Sequence, residues 1–333
     1  MKDFCIVGSG ISGATIAKLL SKKYSVELFD KARGVGGRSS NKRHIKASSF
    51  DHGAQYISPK NTKFKNFIVK LKEQNVLKIW NGNHIDFTKN QRKKINKYIG
   101  KKGNNDISKH LLKGLKVNLS SAIMSINFNN GYWSVTLQNN KKINFKNLII
   151  TCPFPQVINL AKKYLPKKIK KLKVKMQPNI TVMLAFKNYN NFSISSIKLS
   201  EKKIGWIANE NSKKRFKSKE LLLTLQSSVQ WANRHINNYK KNKKKTAFLL
   251  IEYFSNLFGF ETGNIVFYNI HGWKYSYNFN KTNIKSYWTN KYNLGLCGDW
   301  FLGPKIEDAW LSANDLFIEI NKKNPPKIGG FNF

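Results

Sequence analysis

The chain has 333 residues, 41% of them apolar and 13% aromatic, which supports one large or two medium packed domains and excludes a disordered chain. Sixty Lys and Arg against 17 Asp and Glu give a net charge of +43, a field that would draw nucleic acid, anionic membrane or anionic metabolites. Only six of the basic residues are Arg and the lysines are scattered among abundant Asn and Ile, so compositional bias on a solvated surface is the favoured account.

The run KKNKKK (240–245) reads as a loop between helices and carries no interleaved aromatics for base stacking, so no specific nucleic acid is expected. No apolar stretch reaches the roughly 18 residues of a membrane span. The first strand begins three residues in, so no signal peptide is expected ahead of it. Cys5, Cys152 and Cys297 lie far apart in strand-like runs. They read as buried free thiols of a reducing, cytoplasmic compartment, with no metal-ligand spacing and no disulfide framework.

Residues 3–8, DFCIVG, form a short apolar run of the buried parallel-strand type. Gly8-Ser9-Gly10-Ile11-Ser12-Gly13 follows, then ATIAKLLSKK with helical apolar spacing, then a second strand, YSVELFD, ending in Asp30. A strand before, a helix after and an acid about 20 residues on complete the context of a dinucleotide fingerprint. Gly8 allows the tight turn, Gly10 the approach of backbone to a pyrophosphate, and Gly13 the packing of helix on strand. The helix N-terminus offers its unpaired N–H groups to the phosphates. Asp30 is placed to accept from ribose hydroxyls, and Lys31 is assigned to the same cofactor site.

The continuation KARGVGGRSSNKR carries a glycine pair, Gly36-Gly37, and Arg38, more than an NAD domain needs. It resembles the extension in flavoproteins of the glutathione-reductase and amine-oxidase type. That resemblance implies close approach of the Gly36-Gly37 backbone to the FAD diphosphate, a cationic fork at Arg38 and an adenosine contact at Arg33. In DHGAQYIS (51–58), Gly53-Ala54 would let a flat ring lie against backbone, with the Gln55 amide nearby and Tyr56 in the same cofactor set. Asp51 and His52 could form an acid–base pair, although a turn-ordering Asp51 and an ordinary loop histidine are the favoured reading.

Residues 61–80 read as a helix, followed by IWNGNHIDF and a basic, turn-rich stretch to about 104. A helix begins at 106, then a meander of short strands with Asn-Gly and Asn-Asn turns, in which the resemblance puts Ile123 beside the adenine. NLIITCPFP reads as a parallel strand whose exit Pro153 and Pro155 stiffen. From 156 to 289, aromatic, alternating strands (NITVMLAFK, IGWIANENSKKR, LLLTLQSS, IVFYNIHGWKYSY) are interrupted by helical stretches around 228–240 and 246–258. LGLCGD is expected as the last strand, beside the first, with Gly298 and Asp299 at the cofactor. The helix begun near Pro304–Glu307 would aim its N–H groups at the flavin, with Ile306, Glu307 and Ala309 in the site. The expected fold is α/β: a split Rossmann-type FAD-binding domain (1–60, 104–155 and 290–333) with an inserted α+β substrate domain (61–103 and 156–289) built on an antiparallel sheet.

VGSGISG, ELFDKARGVGGR, DHGAQYIS, IGWIANENSKKR, HGWKYSY and CGDWFLGPKIEDAWLSA occur in an order that resembles renalase-like flavin oxidoreductases, within the amine-oxidase and para-hydroxybenzoate-hydroxylase-like group. The resemblance implies non-covalent FAD and oxidation of the 2- and 6-dihydro isomers of NAD(P)H to NAD(P)+, with dioxygen reduced to peroxide. It places Trp206, Trp273, Tyr275, Trp300 and His271 at the reacting end. Hydride transfer needs stacking, alignment and exclusion of water more than a strong acid or base. Lys274 and the run Lys213-Lys214-Arg215 are candidates for the substrate diphosphate, Lys274 standing where an Arg is common in the family. An amine oxidase or a desaturase/isomerase on the same scaffold is the alternative enzyme. A basic nucleic-acid or membrane-surface binder is the alternative of another class.

Overall fold

The computed structural model describes residues 1–45, 48–88, 96–187, 192–200 and 202–323. The chain opens with β1 (Lys2–Val7), α1 (Ile11–Leu20) and β2 (Val26–Phe29), followed by the ribbon β3 (Asn41–Arg43) and β4 (Ser49–Asp51). Next come α2 (Thr62–Glu73), β5 (Leu77–Ile79), β6 (Asn83–Asp86), β7 (Tyr98–Gly100) and α3 (Asp106–Leu111). The meander is β8 (Lys116–Asn118), β9 (Ile123–Asn129), β10 (Tyr132–Leu137) and β11 (Lys142–Ile150). At its Asn130-Gly131 turn both residues have positive φ, 51° and 79°, as a two-residue hairpin of this type requires.

Helices α4 (Phe154–Ala161) and α5 (Lys167–Lys170) lead to β12 (Met176–Phe186), β13 (Ile194–Lys198), β14 (Ile204–Asn209) and β15 (Leu221–Ser227). Then follow α6 (Val229–His235), α7 (Lys243–Phe258), the long β16 (Ile265–Asn278), β17 (Tyr287–Thr289), β18 (Leu294–Leu296) and α8 (Ile306–Lys323). Among the described residues no helix is long and apolar enough to cross a membrane.

The first sheet runs β17-β18-β11-β1-β2-β8, with β10 and β9 continuing from β11. β1 is parallel to both neighbours, Ile6 lying opposite Ile149 and Leu28. Its residues alternate between two cores, as a strand covered on both faces must. Phe4 and Ile6 pack with α1, α2 and α8, while Cys5 packs with Trp133, Val157 and Trp300. The second sheet runs β16-β12-β15-β14-β13-β6 and buries its own core, Leu184, Ile207 and Leu223, against Leu250 and Phe254 of α7.

Several expectations are corrected here. The last strand does not lie beside the first, because β11 stands between β18 and β1. The helix expected over 61–80 ends at Glu73, since Asn75 adopts φ 61° and the chain turns into β5. The stretch 61–103 does not go as a block to the second sheet. The apolar face of α2, Phe64, Ile68 and Leu71, is buried in the core of the first sheet, each such side chain contributing about 1.5–3 kcal/mol, and only β6 joins the second. The second sheet is not wholly antiparallel, because β6 pairs parallel with β13, a long connection imposing no hairpin direction. The first sheet resumes at Tyr287 rather than at 290, β17 pairing with β18. In KKNKKK, the last three residues open α7, where the Asn242 side chain accepts from Lys245 N–H. Part of the basic stretch before 104, residues 89–95, lies outside the described residues.

Candidate cofactor and substrate site

β1 delivers the chain into α1 through Gly8, Ser9 and Gly10, and α1 begins with no side-chain cap and no acid in its first turn. Its first N–H groups therefore have no intrahelical acceptor and face a cavity that Gly10, Ile11 and Ser12 line. A Cβ at Gly13 would stand 2.0 Å from the Gly8 carbonyl oxygen, so only glycine lets helix and loop approach this closely. Asp30, at the end of β2, shapes the loop by accepting from Ser9 N–H at 2.8 Å and Ser9 Oγ at 2.6 Å through Oδ2, and from Ala32 N–H at 2.9 Å through Oδ1. A carboxylate has about four acceptor positions, which leaves capacity for a ribose hydroxyl.

The second glycine loop closes on the first, Gly36 N–H donating to Ser9 O at 3.0 Å. The Arg38 guanidinium grips Asp299 in a bidentate pair at 2.6 and 2.8 Å and also donates to Ser276 O at 3.1 Å. The two residues, each assigned separately to the cofactor, are thus partners that join the glycine loop to the segment after β18. Ser12 Oγ donates to Ala309 O at 3.0 Å, tying α1 to α8. Glu307 accepts from the N–H groups of Lys60 and Asn61, so it holds the entry to α2 while lining the cavity.

Residues 51–55 turn beneath the cavity. Ala54 N–H donates to Arg38 O at 2.8 Å, and a Cβ on Gly53 would meet that same oxygen at 2.0 Å. Gly53 O accepts from Gln226 Nε2 of β15 at 2.7 Å and from Gln55 Nε2 at 3.1 Å. Asp51 does not pair with His52. Its carboxylate is enclosed by Lys213 Nζ at 2.8 Å, Arg215 Nη1 at 2.5 Å, Asn41 Nδ2 and the Asn104 N–H, both at 3.0 Å. Lys213 also binds Glu210 at 2.9 Å, with all three side chains of this cluster wholly buried. Burial alone would raise the Asp51 carboxyl, but the Arg215 and Lys213 charges outweigh it and hold it below the ordinary carboxylate range. Burial, with the Asp51 charge beside it, pushes Glu210 up against the pull of Lys213. Lys213 and Arg215 are therefore internal ions rather than substrate cations, and the exposed Lys214 does not line the cavity.

His271, Trp273 and Tyr275 alternate along β16 and so share one face, which lines the cavity. Trp273 Nε1–H donates to His52 O at 2.8 Å, and its ring stacks on His52 at 5.2 Å between centroids and 25°. His271 stands edge-on to both, 5.0 Å from His52 and 4.2 Å from Trp273. Desolvation, with His271 adding to it, lowers the His52 pKa to about 4. His271 is lowered as well, by burial and then by Lys42 and Lys240. Both imidazoles are thereby neutral at physiological pH. Across the cavity Trp206 lies 5.5 Å from Tyr56, its indole N–H without a partner.

The cavity has a volume of about 2510 Å³. Besides the residues named, it is lined by Gly8, Lys31, Arg33, Gly37, Ile123, Ile306 and Lys274 from among those assigned on sequence. Ser9, Gly13, Gly298 and Trp300 do not line it. Trp300 is a correction: it is wholly buried, donates from Nε1 to Cys152 O at 3.2 Å and stacks on Phe301 at 3.8 Å. Its apolar bulk fills the core between the first sheet and α4, where Phe154 is 4.9 Å away. Gly298 is spent on the same packing, its N–H donating to Ser312 Oγ at 2.9 Å. Gln226, Lys42, Lys97 and Thr151 line the cavity without having been singled out. A lone glutamine in the apolar run LLLTLQ was the one legible signal among them.

The residues present fit FAD: an uncapped helix start for the diphosphate, an acid for ribose, and a glycine-walled surface leading to aromatic side chains. Residues 6–71 match the NAD(P)-binding Rossmann-like domain, and residues 81–314 match the flavin containing amine oxidoreductase family. Renalase of Mus musculus is 29% identical over 171 residues, 48% of this chain and 49% of that protein, so the chain spans about half the length of the curated relative it matches. Two structures of putrescine oxidase, one a variant redesigned in cofactor binding and one the wild type bound to putrescine, superpose with TM-scores of 0.69 and 0.68 at 11% identity. They cover 97% and 96% of this chain and 99% of their own, a likeness of fold. With a family match extending over most of its length, the chain belongs to the flavin containing amine oxidoreductases and is an FAD-dependent oxidoreductase of renalase-like sequence.

Proposed function

We propose that the enzyme oxidises the 2- and 6-dihydro isomers of NAD(P)H to NAD(P)+, passing the electrons on to dioxygen as hydrogen peroxide. The observation that carries this reading is the charge of the cavity wall beyond the residues given to the cofactor: Lys42, Lys97, Lys198, Lys274 and Lys305 against Asp86 among the described residues. An alkylammonium, with a pKa of about 10.4, would enter that field at a cost, whereas a diphosphate is drawn into it. The volume, about 2.5 times the upper end of the ~300–1,000 Å³ usual for one ligand, leaves room for a dinucleotide beside the cofactor.

Bound FAD supplies the hydride acceptor; the chain supplies placement. Trp273 and Tyr275 offer flat faces to a planar ring, and the bond from Trp273 to His52 O fixes the angle of that wall. His52 and His271, held neutral by burial, offer hydrogen bonds without adding charge where NAD(P)+ forms. The Gly53–Ala54 backbone is held against its neighbours by Arg38 O, Gln55 and Gln226, so the floor beneath the reacting ring does not yield. The family match favours a second reading, oxidation of an amine.

The test is anaerobic mixing of the purified yellow protein with 2- or 6-dihydro-NAD. The flavin absorbance should bleach within seconds and return with peroxide when air is admitted. No bleaching by either isomer, together with bleaching by a primary amine, would establish the second reading.

A further inference from the structure

The cavity crosses the width of the second sheet. His271, Trp273 and Tyr275 stand on β16 at one edge, Trp206 stands on β14, and Lys198 and Asp86 stand on β13 and β6 at the opposite edge. Strands lie about 4.8 Å apart, which puts β14 roughly 14 Å and β6 roughly 24 Å from β16. A ligand that reacts beside β16 and also reaches the far lobe must be long.

The far lobe has a chemistry of its own. Tyr56 and Trp206 present two ring faces tilted by 33°, and Lys97 Nζ lies 5.3 Å from the Tyr56 ring centre. Lys97 is half-buried, and desolvation lowers its pKa while the Asp86 charge opposes that shift. Asp86 itself is engaged by Lys198 at 3.6 Å, and Lys198 donates to Thr88 Oγ1 at 2.8 Å. Among the described residues Lys97 forms no ion pair with a carboxylate, although it is partly withdrawn from water. Two aromatic faces beside such a cation match a base and its phosphate: stacking tolerates any base, and the ammonium meets the phosphate as a point charge.

We propose that this lobe binds the distal nucleotide half of the substrate, its base against Tyr56 and Trp206 and its phosphate on Lys97. This rests on the dihydronicotinamide reading and adds where the non-reacting half lies. It also gives Trp206 a role in binding, away from the site of hydride transfer.

The experiment uses FAD-saturated protein, whose adenosine site is filled, and has two parts. In calorimetry AMP should bind the wild type, bind Lys97→Met and Trp206→Leu about tenfold more weakly, and bind Lys97→Arg nearly as well as the wild type. In steady-state kinetics Lys97→Met should raise KM for the dihydro-NAD isomer about tenfold more than KM for the phosphate-free dihydronicotinamide riboside isomer. Equal effects on the two substrates, or AMP binding indifferent to Lys97, would overturn the proposal. Lys97-dependent AMP binding in a protein whose flavin no dihydronicotinamide bleaches would uphold the nucleotide lobe and sink the substrate reading.

Discussion

Lys213 Nζ lies 2.8 Å from Asp51 Oδ2, across 162 positions of sequence, with both side chains wholly buried. Asp51 closes β4 beneath the glycine loops, while Lys213 follows β14 of the second sheet, so the pair fastens the turn 51–55 to that sheet. Glu210 and Arg215 complete a cluster of two anions and two cations whose formal charges cancel. Removing one partner leaves an uncompensated charge in a site that water does not reach. Lys213→Met is therefore expected to lower unfolding stability by about 3–5 kcal/mol, read from the urea midpoint at constant m. An unchanged midpoint would show the cluster to be energetically silent.

Acid should weaken the fold in two stages. Between pH 6.5 and about 4 the unfolded chain protonates His52 while the folded protein, where burial and then His271 depress its pKa to about 4, does not. Stability is lost over that window. Below 3.8 the unfolded chain also protonates Asp51, whose folded carboxyl is held lower, and the contribution of its ion pairs falls away. Glu210, raised by burial, acts in the opposite sense above 4.5. Thermal melts from pH 7.5 downward should show Tm falling through the first window, and His52→Phe should flatten that part of the curve.

The fork between Arg38 and Asp299 links the second glycine loop to the end of the first sheet. Arg38→Met strands a carboxylate that is 6% exposed beside the cofactor cavity. FAD should be retained about tenfold less well or worse, measured as flavin absorbance per protein after desalting. Arg38→Lys should not restore it, because an ammonium cannot make both bonds. Full flavin content in either variant would place the fork outside cofactor retention.

Two tryptophans that look alike on paper should part under mutation. Trp300→Ala removes a wholly buried ring and should cost about 3–5 kcal/mol of stability with no dependence on substrate. Trp273→Phe keeps most of the ring and loses the bond to His52 O. It should slow anaerobic flavin reduction about tenfold while moving Tm little. A Trp300 variant that melts normally but loses turnover would return that residue to the site.

Strand-like DFCIVG, the Gly8-Ser9-Gly10 turn and the helix after it were legible because the signals are local. An apolar run, a residue with no Cβ and a helical apolar period each act within a few positions. The presence of a helix after residue 61 and the Asn130-Gly131 hairpin were readable for the same reason. In the aromatic segments the reading stopped short. HGWKYSY and GDWF both carry a tryptophan among other aromatics, yet β16 turns His271, Trp273 and Tyr275 to the cavity while the turn after β18 folds Trp300 into the core.

The amino-acid sequence by itself determined a dinucleotide cradle at the N-terminus, an aromatic, strand-rich second half and a strongly basic surface. Only the tertiary structure decided that Lys213 is an internal ion, that Arg38 holds Asp299, that β11 separates the last strand from the first, and which tryptophans line the cavity. The physical reason is range. Turn and helix formation depend on neighbours in the chain, whereas a lysine's burial or an arginine's partner depends on groups more than a hundred residues away that packing alone brings together.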